Sequence, residues 1–307
     1  MKHFPPALLF LSLLCLPSQA RAYDATALAA DSAAFLDAEN LMHRDLSVAA
    51  AALRKSQPLM LPGESLAASG DLSLGMILAP AYARRGSATR GGPFAAIVDP
   101  SGGTAASTEA LSLGGAVAFP GGLGLTLNTS YLPPLLIDGA QKSLLRVGAS
   151  GYWRLLPERF YSIGVLVGGG ASYVRGTESR TISSNFTDLV GDPYTFAGKL
   201  DSQWDTGVLD LELFVHKTFF IINFYTRANL CLVLGASSST LGSITVDGSP
   251  VASAPAEYSS ILRDPGMGLV LAGGLELILG ELKLAAEAGR DWISGSLYGT
   301  IGLRFGM

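Results

Sequence analysis

Charge is scarce in this chain: Lys, Arg, Asp and Glu make up 15% of its 307 residues, while 49% are hydrophobic. An average soluble domain carries about 25% charge. Disorder is excluded, because a disordered chain needs low hydrophobicity and high net charge. A net charge of −4 offers no clustered basic surface for nucleic acid. Cysteine is nearly missing, and two thiols build neither a disulfide scaffold nor a Cys-based metal site. With three His and no HExxH, GxSxG or phosphate-cradling glycine motif, the residues point to no metal, no cofactor and no enzyme. Long apolar runs are missing too. The charge-free stretch from Leu111 to Ile137 is cut by Pro120-Gly121-Gly122, and crossing a bilayer as a helix takes about 20 residues.

What is present begins with an export signal. Lys2 and His3 precede the apolar core Ala7–Leu16, Pro17 ends it, and Ala20-Arg21-Ala22 supplies small residues before a cut at Tyr23. Cys15 follows Leu13 and Leu14, which are too bulky for an acylation site. Residues 1–22 are therefore expected to be removed, leaving Cys231 as the one thiol. Residues 23–66 form a helical segment, periplasmic or plugging: Leu28, Phe35, Leu36 and Met42 stand at helical spacing, and a second helix spans about Arg44–Lys55. Pro58, Pro62 and Gly63 end it.

From Asp71 the period becomes two. Leu72, Leu74 and Met76 alternate with Ser73 and Gly75, Leu123, Leu125 and Leu127 with Gly124, Thr126 and Asn128, and Leu209, Leu211 and Leu213 with Asp210 and Glu212. Side chains of a strand point to opposite faces, so each segment has one greasy and one small or polar face. A rolled sheet sends the first to lipid and the second to a lumen, which a helix cannot do. Residues 71–307 are read as an antiparallel transmembrane β-barrel of about ten strands (eight to twelve), an all-β fold with a short N-terminal helical segment.

Short turns fall at Pro120-Gly121-Gly122, Leu156–Arg159, Lys217-Thr218 and Gly280-Glu281, and longer polar segments at about 84–108, 132–142, 176–202 and 236–264. Short periplasmic turns and long outer loops are the habit of such barrels. Aromatics then make two girdles: Phe119, Trp153, Phe160, Tyr161, Phe219, Phe220 and Phe305 at the periplasmic ends, and Tyr82, Tyr131, Tyr173, Trp204 and Trp292 at the outer ends.

The closing segment Leu297-Tyr298-Gly299-Thr300-Ile301-Gly302-Leu303-Arg304-Phe305 resembles the C-terminal strand signal of bacterial outer-membrane β-barrel proteins, with small porin-like and OmpW-like barrels as the nearest company in architecture. That resemblance implies outer-membrane lipid and the barrel-assembly machinery as partners.

The phase places Asp71, Arg146, Arg154, Asp210, Glu212, Arg227, Glu276, Lys283, Glu287 and Arg304 in the lumen. Their signs nearly balance, which suits a structural network better than a selectivity ring. Arg227 is the expected partner of Asp210 or Glu212. The inward faces Ser112/Gly114/Ala116, Gly124/Thr126/Asn128 and Gly164/Gly168/Gly170 are small, leaving room for water, a small-molecule ligand or the helices, which would tuck against the periplasmic mouth. Arg84, Arg85 and Arg90 form a basic cluster in the first outer loop. The function expected is passive passage of small molecules, apolar ones included, across the outer membrane. The alternative is a surface-exposed structural or adhesive barrel without an open pore.

Overall fold

The computed structural model describes residues 25–52, 67–79, 94, 106–137, 139–187, 193–251 and 254–306. The export signal, Tyr82 and Arg84, Arg85 and Arg90 lie outside these. One helix, α1 (Ala25–Ala52), precedes β1 (Ala67–Ala79), β2 (Ala106–Phe119), β3 (Leu123–Ile137), β4 (Ala140–Leu156), β5 (Gly164–Thr187), β6 (Pro193–Phe219) and β7 (Ile222–Val246). Then come β8 (Ser249–Pro250), β9 (Glu257–Leu262), β10 (Gly266–Leu279), β11 (Leu282–Asp291) and β12 (Leu297–Gly306). β1 to β7 pair antiparallel with their sequence neighbours, β7 passes on to β10, and β12 returns to β1. Ten strands thus close a ring, while β8 and β9 attach to β7 off its path. Closure satisfies the backbone groups that an open sheet would leave to lipid.

The wall inverts its polarity partway along its longest strands. On β6, Leu209, Leu211 and Leu213 point out while Asp210 and Glu212 point in. Farther from the short turns, the same strand buries Phe196, Leu200, Trp204 and Val208 and turns Lys199, Asp201, Gln203 and Asp205 outward. β7 exchanges outward Leu230, Leu232 and Leu234 for Ser238 and Thr240, and β5 exchanges Val165, Val167 and Tyr173 for Arg175, Thr177 and Thr181. The first arrangement suits lipid outside and water inside; the second is that of a water-soluble barrel. β5, β6 and β7 run 24, 27 and 25 residues. A tilted membrane strand needs about 9–11, so about 50 Å of each strand is surplus at roughly 3.3 Å per residue. Most of the residues expected as outer loops in 132–142, 176–202 and 236–264 are therefore strand. Alternation continues through them with the signs exchanged, and their Ser/Thr-rich outer face imitates a loop.

The turn between β6 and β7 also differs from expectation. Phe219 pairs with Ile222, so the turn is Phe220-Ile221 and Lys217-Thr218 belongs to the ladder. The neighbouring hairpin holds both residues there. Glu158 accepts the Thr218 amide (2.7 Å) and hydroxyl (3.0 Å), and Lys217 Nζ donates to the carbonyls of Arg159, Phe160 and Ser162 at 2.6–3.0 Å.

The glycines of the inner face are not free space. A Cβ on Gly164 would lie 2.1 Å from the His216 ring, one on Gly168 2.5 Å from the Tyr152 ring, and one on Gly176 2.0 Å from the Trp204 ring. Each ring lies on a glycine of the adjacent strand, so the room expected beside Gly164 and Gly168 is taken. Gly176→Val should accordingly lower stability by about 1–3 kcal/mol, the usual cost of overpacking. Gly115→Ala, whose Cβ would meet nothing closer than 3.7 Å, is the control. Thermal midpoints of the refolded proteins check the pair.

Candidate functional site

The lumen is the only region where charged, aromatic and helical elements converge among the described residues, and α1 occupies part of it. The expected pair of helices is one continuous helix of 28 residues, about 42 Å long at 1.5 Å per residue. No Pro or Gly interrupts it near Met42–Arg44. Starting from the end opposite the short turns, Asp37 accepts the Ser260 hydroxyl, Glu39 pairs with Arg180, and Asn40 Oδ1 accepts from Ser237 (3.1 Å) and Ser239 (2.9 Å). Deeper, Thr206 donates to the Ser47 hydroxyl at 2.9 Å. At mid-barrel Arg146 Nη2 donates to the Ala51 carbonyl at 3.1 Å, a cation where the helix dipole favours one.

The helix therefore fills the half remote from the turns, not the turn-end mouth. Chemistry explains the choice. Its Leu28, Phe35, Leu36, Met42, Leu46 and Val48 are buried, and they share one cluster with Phe196, Leu200, Trp204, Val208 and Leu241 of the wall. The turn-end half offers charges instead.

Trp204 corrects the outer girdle. It is 2% exposed and stacks on His43 with ring centroids 4.3 Å apart, because it shares the parity of Asp210 and Glu212 and so faces inward. His43, expected on the periplasmic side, lies in the remote half with its Nε2 3.7 Å from Glu178 Oε2. Burial alone would raise the Glu178 carboxyl, but the facing His43, Arg180 and Lys142 hold it down at about 2. The carboxylate stays ionised at any ordinary pH and anchors the helix through its side chains. His43 is fully buried, so this His–Glu pair touches no solvent.

Below the helix, every lumenal residue named from the sequence faces inward. Arg227 pairs with Glu287, and it also donates to the Tyr298 hydroxyl at 2.7 Å, which donates to Glu287 at 2.9 Å. The reason is the closure of β7 on β10, which brings β11 and β12 opposite Arg227. Arg304 bridges Glu276 (2.9 Å) and Asp71 (3.4 Å), Asn223 donates to Glu276 (3.3 Å), and Tyr152 donates to Glu212 (3.0 Å). Asp210 is buried on the same face of β6. Lys283 is buried beside Arg304 on the neighbouring strand, and Arg154 lies at the turn end against Gly122. Parity also puts Tyr152 and Tyr298 on the polar face of their strands, and both join this network.

Phe119, Trp153, Phe160, Tyr161, Phe219, Phe220 and Phe305 are exposed at the turn end. Tyr131, Tyr173 and Trp292 are exposed toward the other.

No protein-family model matches the chain, and no curated protein matches it. Among solved structures it is similar to the outer membrane protease OmpT from Escherichia coli, at 11% identity and a TM-score of 0.47, over 80% of this chain and 99% of that one. It is also similar to the translocator domain of autotransporter NalP from Neisseria meningitidis (14%, 0.38, 92% and 98%). A third is the transport unit of the autotransporter AIDA-I from Escherichia coli (10%, 0.35, 87% and 98%). Likeness at this level says nothing of what the chain does.

Proposed function

We propose that this protein is a sealed outer-membrane barrel that carries a rigid, helix-cored extension at the cell surface, the structural or adhesive alternative rather than the passive channel. One observation carries the reading. Along Ala38–Ala51 almost every residue of α1 is buried, whichever side of the helix it occupies, so the helix is enclosed by the wall. Charges of both signs and buried aromatic rings occupy the lumen beneath it, an arrangement that gives no ring of one sign to select a permeant. The short turns belong on the periplasmic side and the tall β5–β7 wall outside, by the habit of such barrels. On this reading the partners are outer-membrane lipid and, through the Leu297–Phe305 strand, the assembly machinery.

Planar-bilayer recording of the refolded full chain tests it. The expected record shows no steps above the bare bilayer. Discrete, reproducible openings would return the protein to the channel class.

A further inference from the structure

One stretch of the lipid-facing wall is hollow. Thr226 of β7, Gly273 of β10 and Ala288 of β11 are successive cross-strand partners, and all three point outward. Leu213, Leu271 and Leu297 stand around them, leaving an open, mostly apolar groove of about 690 Å³, within the roughly 300–1,000 Å³ typical of small-molecule sites.

The rim of the groove is basic. Arg290 follows Ala288 by two residues on β11, is exposed, and holds its guanidinium 5.5 Å from the centre of the Trp292 ring. An Arg on the lipid face is tolerated near the interface but costs about 2–4 kcal/mol at the midplane, and a Trp beside it marks the interfacial level. A second outward Arg, Arg175 of β5, has a protein partner in Asp205 at 3.6 Å. Among the described residues Arg290 has no carboxylate partner.

We propose that the groove holds one phospholipid of net negative charge from the adjoining leaflet, its acyl chain against Thr226, Gly273 and Ala288 and its phosphate on Arg290. The planar guanidinium fork matches phosphate oxygens in pairs. The groove is continuous with the apolar band, so a chain enters it from the bilayer without crossing water. The inference needs only the barrel's place in the membrane, and stands whether or not the lumen conducts.

Brominated lipids test it, because bromine quenches tryptophan at short range. The full chain is reconstituted in phosphatidylcholine vesicles doped with either dibrominated phosphatidylglycerol or dibrominated phosphatidylcholine. The Trp292 signal is taken as the difference from Trp292→Phe. The anionic lipid should be enriched about fivefold at Trp292, the factor to which about 1 kcal/mol per basic residue at an anionic surface corresponds. Arg290→Gln should bring the ratio to about one. Gly273→Leu, whose Cβ would meet nothing closer than 3.8 Å and so fits the fold, should do the same by filling the groove with Arg290 intact. Equal quenching by both lipids would overturn the proposal, as would a preference that survives both variants. So would a groove that neither lipid reaches because a second copy covers it, seen as dimer in sedimentation.

Discussion

A chain lacking Ala25–Ala52 should fail to reach the folded barrel. Six large apolar side chains of α1 are buried, each at about 1.5–3 kcal/mol. Together they rival or exceed the whole net stability of an ordinary protein, about 5–15 kcal/mol. Without the helix, Phe196, Leu200, Trp204 and Leu241 would line a wet tube, and Glu178 and Arg180 would lose their helix partners. Protease resistance and gel mobility before and after heating read the outcome: the deleted chain should be digested and run as unfolded. Leu36→Ala is the graded version, costing about 2–5 kcal/mol for a fully buried Leu, read as a lower denaturation midpoint. A helix-free chain that folds to a protease-resistant barrel of unchanged midpoint would make α1 a removable plug and undo the sealed reading. This is also why deleting the helix is a poor test of conductance: it removes a core, not a stopper.

Arg227→Leu should lower stability by about 3–5 kcal/mol, because it strands the buried Glu287 carboxylate. The pair lies below the helix with both side chains essentially inaccessible, so solvent does not screen it. The double variant Arg227→Leu with Glu287→Leu should recover most of the loss, since an apolar pair of similar volume is often as stable as the ion pair. Urea midpoints at constant slope measure both. An effect of Arg227→Leu within about 0.5 kcal/mol would mean a lumen wet enough to reduce the pair to a surface contact.

The barrel was legible because lipid imposes a simple code. Leu209, Leu211 and Leu213 against Asp210 and Glu212 can satisfy lipid and a polar lumen in only one way, and parity then places Arg146, Arg227 and Glu276 as well. What escaped was the part of the chain where that code is reversed. Beyond Val208 the inner face turns apolar and the outer face Ser/Thr-rich, so the alternation resembles loop composition although the period is unchanged. Following parity from Asp210 back to Trp204 would have put that ring inside. The helix's place could not be read, since nothing local in Ala25–Ala52 says which half of a barrel has an apolar lining. Nor could the pairing of Arg227 with Glu287, which depends on β7 passing over β8 and β9 to meet β10. The inward glycines misled for a related reason: a missing side chain records only that something comes close, and here a neighbour's ring does.

The reversal of polarity on β5, β6 and β7 has a mechanical meaning as well. It gives the molecule a waterline. If the protein sank by one residue pair, about 7 Å along a strand, Arg175 and Asp205 would be drawn toward hydrocarbon; if it rose equally, a row of leucines would come out into water. Both displacements are uphill, so the protein floats at one depth, and the height of its tall wall above the surface is set by the chain rather than by the thickness of the membrane beneath it.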